Sequence, residues 1–320
     1  MRRFTNDGSA DAPKLRVYLN LENLVDLRPD TVWPGLTGRA QLERLAADGF
    51  EGAQRTDDAA PPPGSPIPFC GCDRINTPDE ADGIAAKHAA RGYTCLTVHA
   101  GWGLEDDAEV DRLVEAILRA CDRHKLPIFI ETHRATITQD LWRTVRIVRK
   151  FPEVCFNGDF SHYYTGQEMV YGGIEMKLAF MEPILARVGF IHGRISSPGC
   201  IQVPVDAGGA RPRQAHGLVN YLEHYRELWI RAMHGFLRAA GRGDGFIFAP
   251  ELLSGTHYYA RLFPDSQGRL VEETDRYQQA LLYQQIARDC FAEAERRLQE
   301  TPPVSDYSRL GASAAQSAQS

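Results

Sequence analysis

The sequence predicts an α/β protein folded as a single (β/α)8 barrel. Short apolar, β-branched runs alternate with helical patterns along the chain, which implies parallel strands joined by crossover helices. There are eight such runs. The 320 residues also accommodate a closed barrel of ~250 residues with insertions. The rival is an open, doubly wound sheet. It has fewer strands and wants a Gly-rich turn after the first, where this chain reads Glu22-Asn23-Leu24-Val25-Asp26.

In chain order, the expected strands are Leu15–Leu21, Phe50–Gln54, Ile67–Gly71, Tyr93–His99, Pro127–His133, Val154–Phe160, Val188–Ile195 and Gly245–Leu252. The expected helices cover 37–48, 78–91, 105–124, 138–150, 173–186, 218–240 and 273–299. Helix 105–124 sets Val110, Leu113, Val114, Ile117, Leu118 and Cys121 on one stripe at steps of three and four. Thr77-Pro78-Asp79-Glu80 is a helix-opening signal. Strands two and three are short and have no clear helix between them. The segment there, 57–68, reads DDAAPPPGSPIP and is a Pro-rich loop.

Residues 1–12 are polar and small, and 301–320 are rich in Pro, Ser and Ala. Both are expected to be disordered, leaving 13–300 as one catalytic domain. The segment 198–217 is too long for an ordinary connection and is a candidate functional loop. The net charge of -6 argues against a general nucleic-acid binder. No run of about 18 apolar residues exists to cross a membrane. The start, Met1-Arg2-Arg3-Phe4-Thr5-Asn6-Asp7, has no apolar stretch and is not a secretory signal, so a cytoplasmic location is expected. The seven cysteines fit a reducing compartment. The pair Cys70-Gly71-Cys72 has poor spacing for zinc.

Chemistry in such a barrel gathers at the carboxyl ends of the strands. Strand four ends in Thr97-Val98-His99-Ala100-Gly101-Trp102, strand five in Ile130-Glu131-Thr132-His133-Arg134 and strand six in Asn157-Gly158-Asp159-Phe160-Ser161-His162. Strand seven ends in Ile191-His192-Gly193-Arg194 and strand eight in Ala249-Pro250-Glu251. Any one of these is ordinarily a solvated carboxylate or a satisfied core histidine. Together, Glu131, Asp159, His192 and Glu251 would converge on one barrel mouth, and three carboxylates packed without a cation repel one another. One divalent metal resolves this, and the oxygen-rich donor set suits Mn²⁺, Mg²⁺, Co²⁺ or Zn²⁺.

The order Glu131…Asp159-x-x-His162…His192-x-Arg194…Glu251 resembles the xylose isomerase-like TIM-barrel superfamily, which includes sugar 3-epimerases, hydroxypyruvate isomerase, inosose dehydratase and endonuclease four. The likeness spans most of 14–300. It implies one divalent metal held by Glu131, Asp159, His192 and Glu251, with the two glutamates also acting as the proton-transfer pair. It implies that His162 contacts a substrate oxygen and that Arg194 points at the substrate. His99, Trp102, His133 and His257 are further candidate substrate contacts. The epimerases carry another glutamate about six residues past the strand-five ligand, where this chain has Ile137. The trinuclear zinc cluster of endonuclease four needs an Asp-x-His pair after strand seven, whereas Asp206 and His216 are ten apart.

The expected activity is therefore metal-dependent isomerisation or epimerisation of a sugar or sugar derivative, by glutamate-mediated proton transfer through a metal-stabilised enediolate. The same first step serves a lyase or dehydratase acting on a keto-sugar, inositol derivative or glycoside. A zinc phosphodiesterase ranks third. The expected partner is a small carbohydrate, with no nucleic acid or membrane, and a homo-oligomer is compatible with the resemblance.

Overall fold

The computed structural model describes residues 4–57, 59–205 and 220–300. Its centre is a closed barrel of eight parallel strands: β1 (Lys14–Asn20), β2 (Gly52–Arg55), β3 (Phe69–Ile75), β4 (Leu96–Ala100), β5 (Ile128–Glu131), β6 (Phe156–Asn157), β7 (Val188–Gly193) and β8 (Asp244–Pro250). Each pairs with the next in parallel. β8 closes the ring on β1, with Lys14 opposite Gly245 and Val17 opposite Phe248. All eight expected runs are strands.

Helices α1 (Gly38–Ala47), α2 (Glu80–Ala90), α3 (Asp107–His124), α4 (Leu141–Lys150), α5 (Phe160–Gly166), α6 (Ile174–Leu185), α7 (Tyr221–Ala239) and α8 (Arg276–Glu300) complete the α/β pattern. In α3 a capping box starts the helix: the Asp106 carboxylate accepts from Glu109 N and the Glu109 carboxylate from Asp106 N. Val110, Leu113, Val114, Ile117 and Cys121 are buried on its inner stripe, and Lys125, at φ 53°, ends it in the left-handed region. No helix joins β2 to β3 among the described residues. Nor is any described helix long and apolar enough to cross a membrane.

Three features differ from expectation. Residues 4–12, expected to be disordered, are in place: Thr5–Asn6 pair antiparallel with Gly245 and Asp244. Phe4 packs edge-on to Phe236 at 4.8 Å between centroids. A Cβ on Gly189 would lie 2.8 Å from the Phe4 ring, so the missing side chain makes room for it. The start of the chain thus seals the amino-terminal end of the barrel with apolar surface that a polar composition hides. Second, α5 follows β6 immediately, because the Asp159 side chain accepts from Ser161 N and caps a helix there. Third, β8 and α8 are separated by an antiparallel hairpin, Leu262–Pro264 with Leu270–Glu272. Residues 301–320, and 206–217 of the candidate functional loop, lie outside the described residues.

Candidate metal centre

Four strand ends bring their last polar residues to one point. Glu131 ends β5, Asp159 lies two residues past β6, His192 is the penultimate residue of β7, and Glu251 directly follows β8. All four are buried, and one potential ligand atom from each lies within 4.8 Å of the others. These are the four residues that the sequence pattern nominated, and the cluster could hold a metal ion.

Neutral amides set the orientation of these groups. Asn157 donates from Nδ2 to Glu131 Oε2 at 3.1 Å and accepts on Oδ1 from His192 N at 2.9 Å. Asn20 donates to Glu251 Oε1 at 3.0 Å and to Gln54 Oε1 at 3.1 Å. The hydroxyl of Ser161 donates to Asp159 Oδ1 at 2.5 Å. Sequence reasoning gave Asn20, Gln54 and Asn157 no role.

The imidazole of His192 is anchored at both ends. Nε2 lies 2.8 Å from Gln54 Oε1. Gln54 directs its amide nitrogen at Thr97 Oγ1, 2.9 Å away, so Oε1 is the acceptor and His192 Nε2 carries the proton. The Nδ1 lone pair then faces inward, beside Asn157 Nδ2 at 2.9 Å, Glu131 Oε2 at 3.1 Å and Glu251 Oε2 at 3.3 Å. A lone pair turned toward two carboxylates requires a cation between them or a proton on Nδ1. Burial lowers the His192 pKa, but Glu251 and Glu131 outweigh it and push the value up to about 9. Three carboxylates and one inward imidazole nitrogen fit a divalent ion such as Mn²⁺, Mg²⁺, Co²⁺ or Zn²⁺. The histidine–glutamine contact is the outer support such a ligand requires.

The site also contains its own cation. Arg194, buried, directs Nη2 to Asp159 Oδ2 and, at 2.9 Å, to Glu251 Oε2. Its Nε donates to Ser161 Oγ at 3.2 Å, while Nη1 is buried without an acceptor. The two glutamates differ in consequence. Burial pushes the Glu131 carboxyl up, but His99 and His192, one on each oxygen, reverse this and hold it well below the usual range. Burial raises Glu251 as well. There His192 and Arg194 act against Glu131 and Asp159, and the net shift is upward.

A row of imidazoles flanks the carboxylates. The His99 and His133 rings lie 4.5 Å apart, and those of His133 and His162 lie 3.8 Å apart. His99 Nε2 is 3.1 Å from Glu131 Oε1. His99, Glu131 and His133 form a second group of potential metal ligands. However, His133 Nδ1 accepts from Ala135 N at 3.1 Å, so the neutral ring presents Nε2–H, a hydrogen-bond donor. Burial and His162 push the His133 pKa down to about 2. His162 is buried, its Nε2 3.5 Å from Asp159 Oδ2, and neither ring nitrogen is hydrogen-bonded among the described residues. Burial and then Arg194 hold its pKa well below the usual value.

The structure does not bring every nominated residue to this point. Trp102 is 56% exposed. It lies under the Arg74 guanidinium at 3.7 Å and lines an outer groove with Asn76, Leu104 and Glu109. His257 is exposed, with Nδ1 3.1 Å from Ser254 Oγ. Tyr258, at φ 62°, turns the chain, and Tyr259 packs over Arg194 instead, 4.6 Å from ring centroid to Cζ. Arg261 pairs with Glu273. Asp206 and His216 lie outside the described residues.

No protein-family model matches the chain, and no curated protein matches it. Solved structures do. A D-tagatose 3-epimerase-like protein aligns over 89% of this chain and 100% of its own, with 9% identity and a TM-score of 0.50. The probable 3-DHS dehydratase of petrobactin synthesis from Bacillus anthracis aligns over 74% and 92%, with 16% identity and a TM-score of 0.48. A xylose isomerase domain protein from Planctomyces limnophilus aligns over 92% and 100%, with 10% identity and a TM-score of 0.43. At such identities the likeness is one of fold. The chain has a (β/α)8 TIM barrel.

Proposed function

We propose that this chain is a divalent-metal-dependent isomerase or epimerase of a sugar or sugar derivative, working by proton transfer between substrate carbon and the two glutamates. The observation that carries this reading is the pair Glu131 and Glu251. Both are buried at the carboxyl ends of barrel strands, beside the His192 Nδ1 atom at 3.1 and 3.3 Å. Such a pair is suited to one group that removes a proton and one that returns it. One glutamate removes the proton, and the other returns a proton on another atom or face. A bound divalent cation would supply Lewis-acid polarisation of the substrate carbonyl.

Asn157 and Asn20 hold the two carboxylates in place through the same contacts that orient them in the free site. His162, whose ring nitrogens make no hydrogen bond among the described residues, and His133, which presents Nε2–H, support a role in binding substrate hydroxyls. This reading takes a small carbohydrate as substrate and has no role for nucleic acid or membrane. Fold analogy alone cannot choose the reaction.

The test combines metal analysis with hydrogen exchange. Manganese-loaded protein incubated with a panel of keto-sugars in deuterated water is expected to place deuterium next to the carbonyl. Glu131→Gln and Glu251→Gln should lose this exchange while remaining folded. Full turnover in chelator, with metal content shown to be nil, refutes the proposal. A second reading, elimination by a lyase or dehydratase, is favoured by the imidazole row beside Glu131, since a leaving hydroxyl needs a proton away from the point of abstraction. Product mass separates the two: isomerisation changes only exchanged hydrogen, whereas elimination gives an unsaturated or cleaved product.

A further inference from the structure

One side of the site offers hydrogen-bond donors. Arg194 Nη1 is buried with no acceptor among the described residues, and a neutral His162 carries one N–H, with Nε2 3.5 Å from Asp159 Oδ2. His133 presents Nε2–H, since its other nitrogen is engaged by Ala135 N. Above them lies Tyr259, its ring 6.4 Å from that of His162. Two guanidinium groups lie against Tyr259, Arg194 at 4.6 Å and Arg134 at 5.9 Å from the centroid. Arg134 is exposed and makes no ion pair among the described residues. The acceptors Glu131, Asp159 and Glu251 adjoin these groups, and Arg194 Nη2 contacts Asp159 and Glu251 directly.

This polarity constrains what binds. A hydroxyl can satisfy such donors and acceptors but brings no charge to the Arg134 guanidinium. A carboxylate only accepts, and its two oxygens match the guanidinium fork. Its charge is repelled by the three carboxylates and attracted by Arg134, which forms no ion pair with them among the described residues. The donor side has two guanidinium groups. The glycine-rich backbone cradle that commonly holds a phosphate is absent among the described residues.

We propose that the substrate is an acid, a hydroxy- or keto-acid of the sugar-acid class, whose carboxylate is held by Arg194 and Arg134 beneath Tyr259. Its hydroxyls then face His162 and the two glutamates. This assignment rests on the proton-transfer reading only in placing the reacting carbons next to Glu131 and Glu251.

The test measures binding by isothermal titration to the full chain, metal-free and manganese-loaded. The probes are D-glycerate against glycerol, D-gluconate against D-glucitol, and glycerol 3-phosphate. Each acid is expected to bind at least tenfold more tightly than its neutral partner. Arg134→Gln, a substitution on the surface, should remove most of that difference and leave the neutral probes unchanged. Neutral probes that match their acids overturn the proposal. So does failure of both acids to bind, or an acid preference that survives in Arg134→Gln, which would reflect direct chelation of manganese. Tighter binding of glycerol 3-phosphate than of D-glycerate overturns the choice of carboxylate. Acid binding with no C–H exchange on any substrate leaves this site standing and removes the proton-transfer reading. Exchange on neutral keto-sugars with indifference to acids does the reverse.

Discussion

Replacing Gln54 with leucine tests whether the inward lone pair of His192 is set by a single amide. The Gln54 side chain makes three buried hydrogen bonds, with His192 Nε2 at 2.8 Å, Asn20 Nδ2 at 3.1 Å and Thr97 Oγ1 at 2.9 Å. Leucine fills a similar volume, so the main loss is polar. Three bonds at about 0.5–1.5 kcal/mol each give a stability loss of roughly 2–4 kcal/mol, and the stranded His192 N–H accounts for the upper end. Metal affinity should fall about 10–100-fold, the usual effect of removing a ligand histidine's outer partner, or roughly 1.4–2.7 kcal/mol. Thr97→Val is the control. It removes the bond at the far end of the same amide and a long one from Thr97 Oγ1 to Gly71 O, costs about 1–2 kcal/mol, and should leave metal affinity within about twofold. Isothermal titration of Mn²⁺ into chelator-stripped protein and urea unfolding give the two quantities, and ¹⁵N NMR of His192 reports the tautomer. A folded Gln54→Leu protein with wild-type manganese affinity, or an equal affinity loss in Thr97→Val, would refute the argument.

Three other outcomes follow from the geometry. Deuterium exchange catalysed by Glu131→Gln and by Glu251→Gln should fall by about 10²–10⁴-fold, with circular dichroism unchanged. Arg194→Met removes the guanidinium that touches Asp159 and Glu251, so the metal-free protein should lose about 3–5 kcal/mol. Manganese should restore most of it, and an equal rise in Tm in variant and wild type would show that Arg194 does not stand in for the cation. Asp73, on β3, is raised by burial, but contacts with His88 at 2.9 Å and Lys87 at 2.7 Å hold its carboxyl below the usual range. A depressed carboxylate adds stability that is full above its unfolded pKa and is lost as pH falls through its folded one. Asp73→Asn should therefore cost about 1–2 kcal/mol at pH 7, and urea unfolding should show the difference narrowing below about pH 4.

The barrel and its four candidate ligands were legible because the signal is local. An apolar run followed directly by Glu, Asp or His can be read from a few residues, and strand closure brings those ends together. Asn20, Gln54 and Asn157 were not legible. Near the end of an apolar run, a single amide looks like a solvent-facing position, and only closure of the cylinder turns it toward the axis. Nothing local in the sequence chooses between His257 and Tyr259, because loop direction is not periodic and Tyr258, at φ 62°, turns the chain between them. The hairpin over 262–272 escaped because three-residue strands are too short to show alternation. The start of the chain was misread for a different reason: Phe4 alone carries its burial, and the polar residues around it dominate the composition.

The choice of amides as the supporting groups has a physical consequence. With Glu131, Asp159 and Glu251 ionised, Arg194 offsets one of three negative charges, and a divalent ion would offset the other two while His192 stays neutral. Lysines in place of Asn20 or Asn157 would supply that charge themselves and weaken the hold on a cation. Carboxylates there would add a repulsion that no single ion balances. Neutral amides fix geometry and leave the charge balance to the bound cation and Arg194. Arg134, against Tyr259 and outside that balance, is then the charge that the proposed acid substrate would answer, which fixes which end of it lies away from the two glutamates.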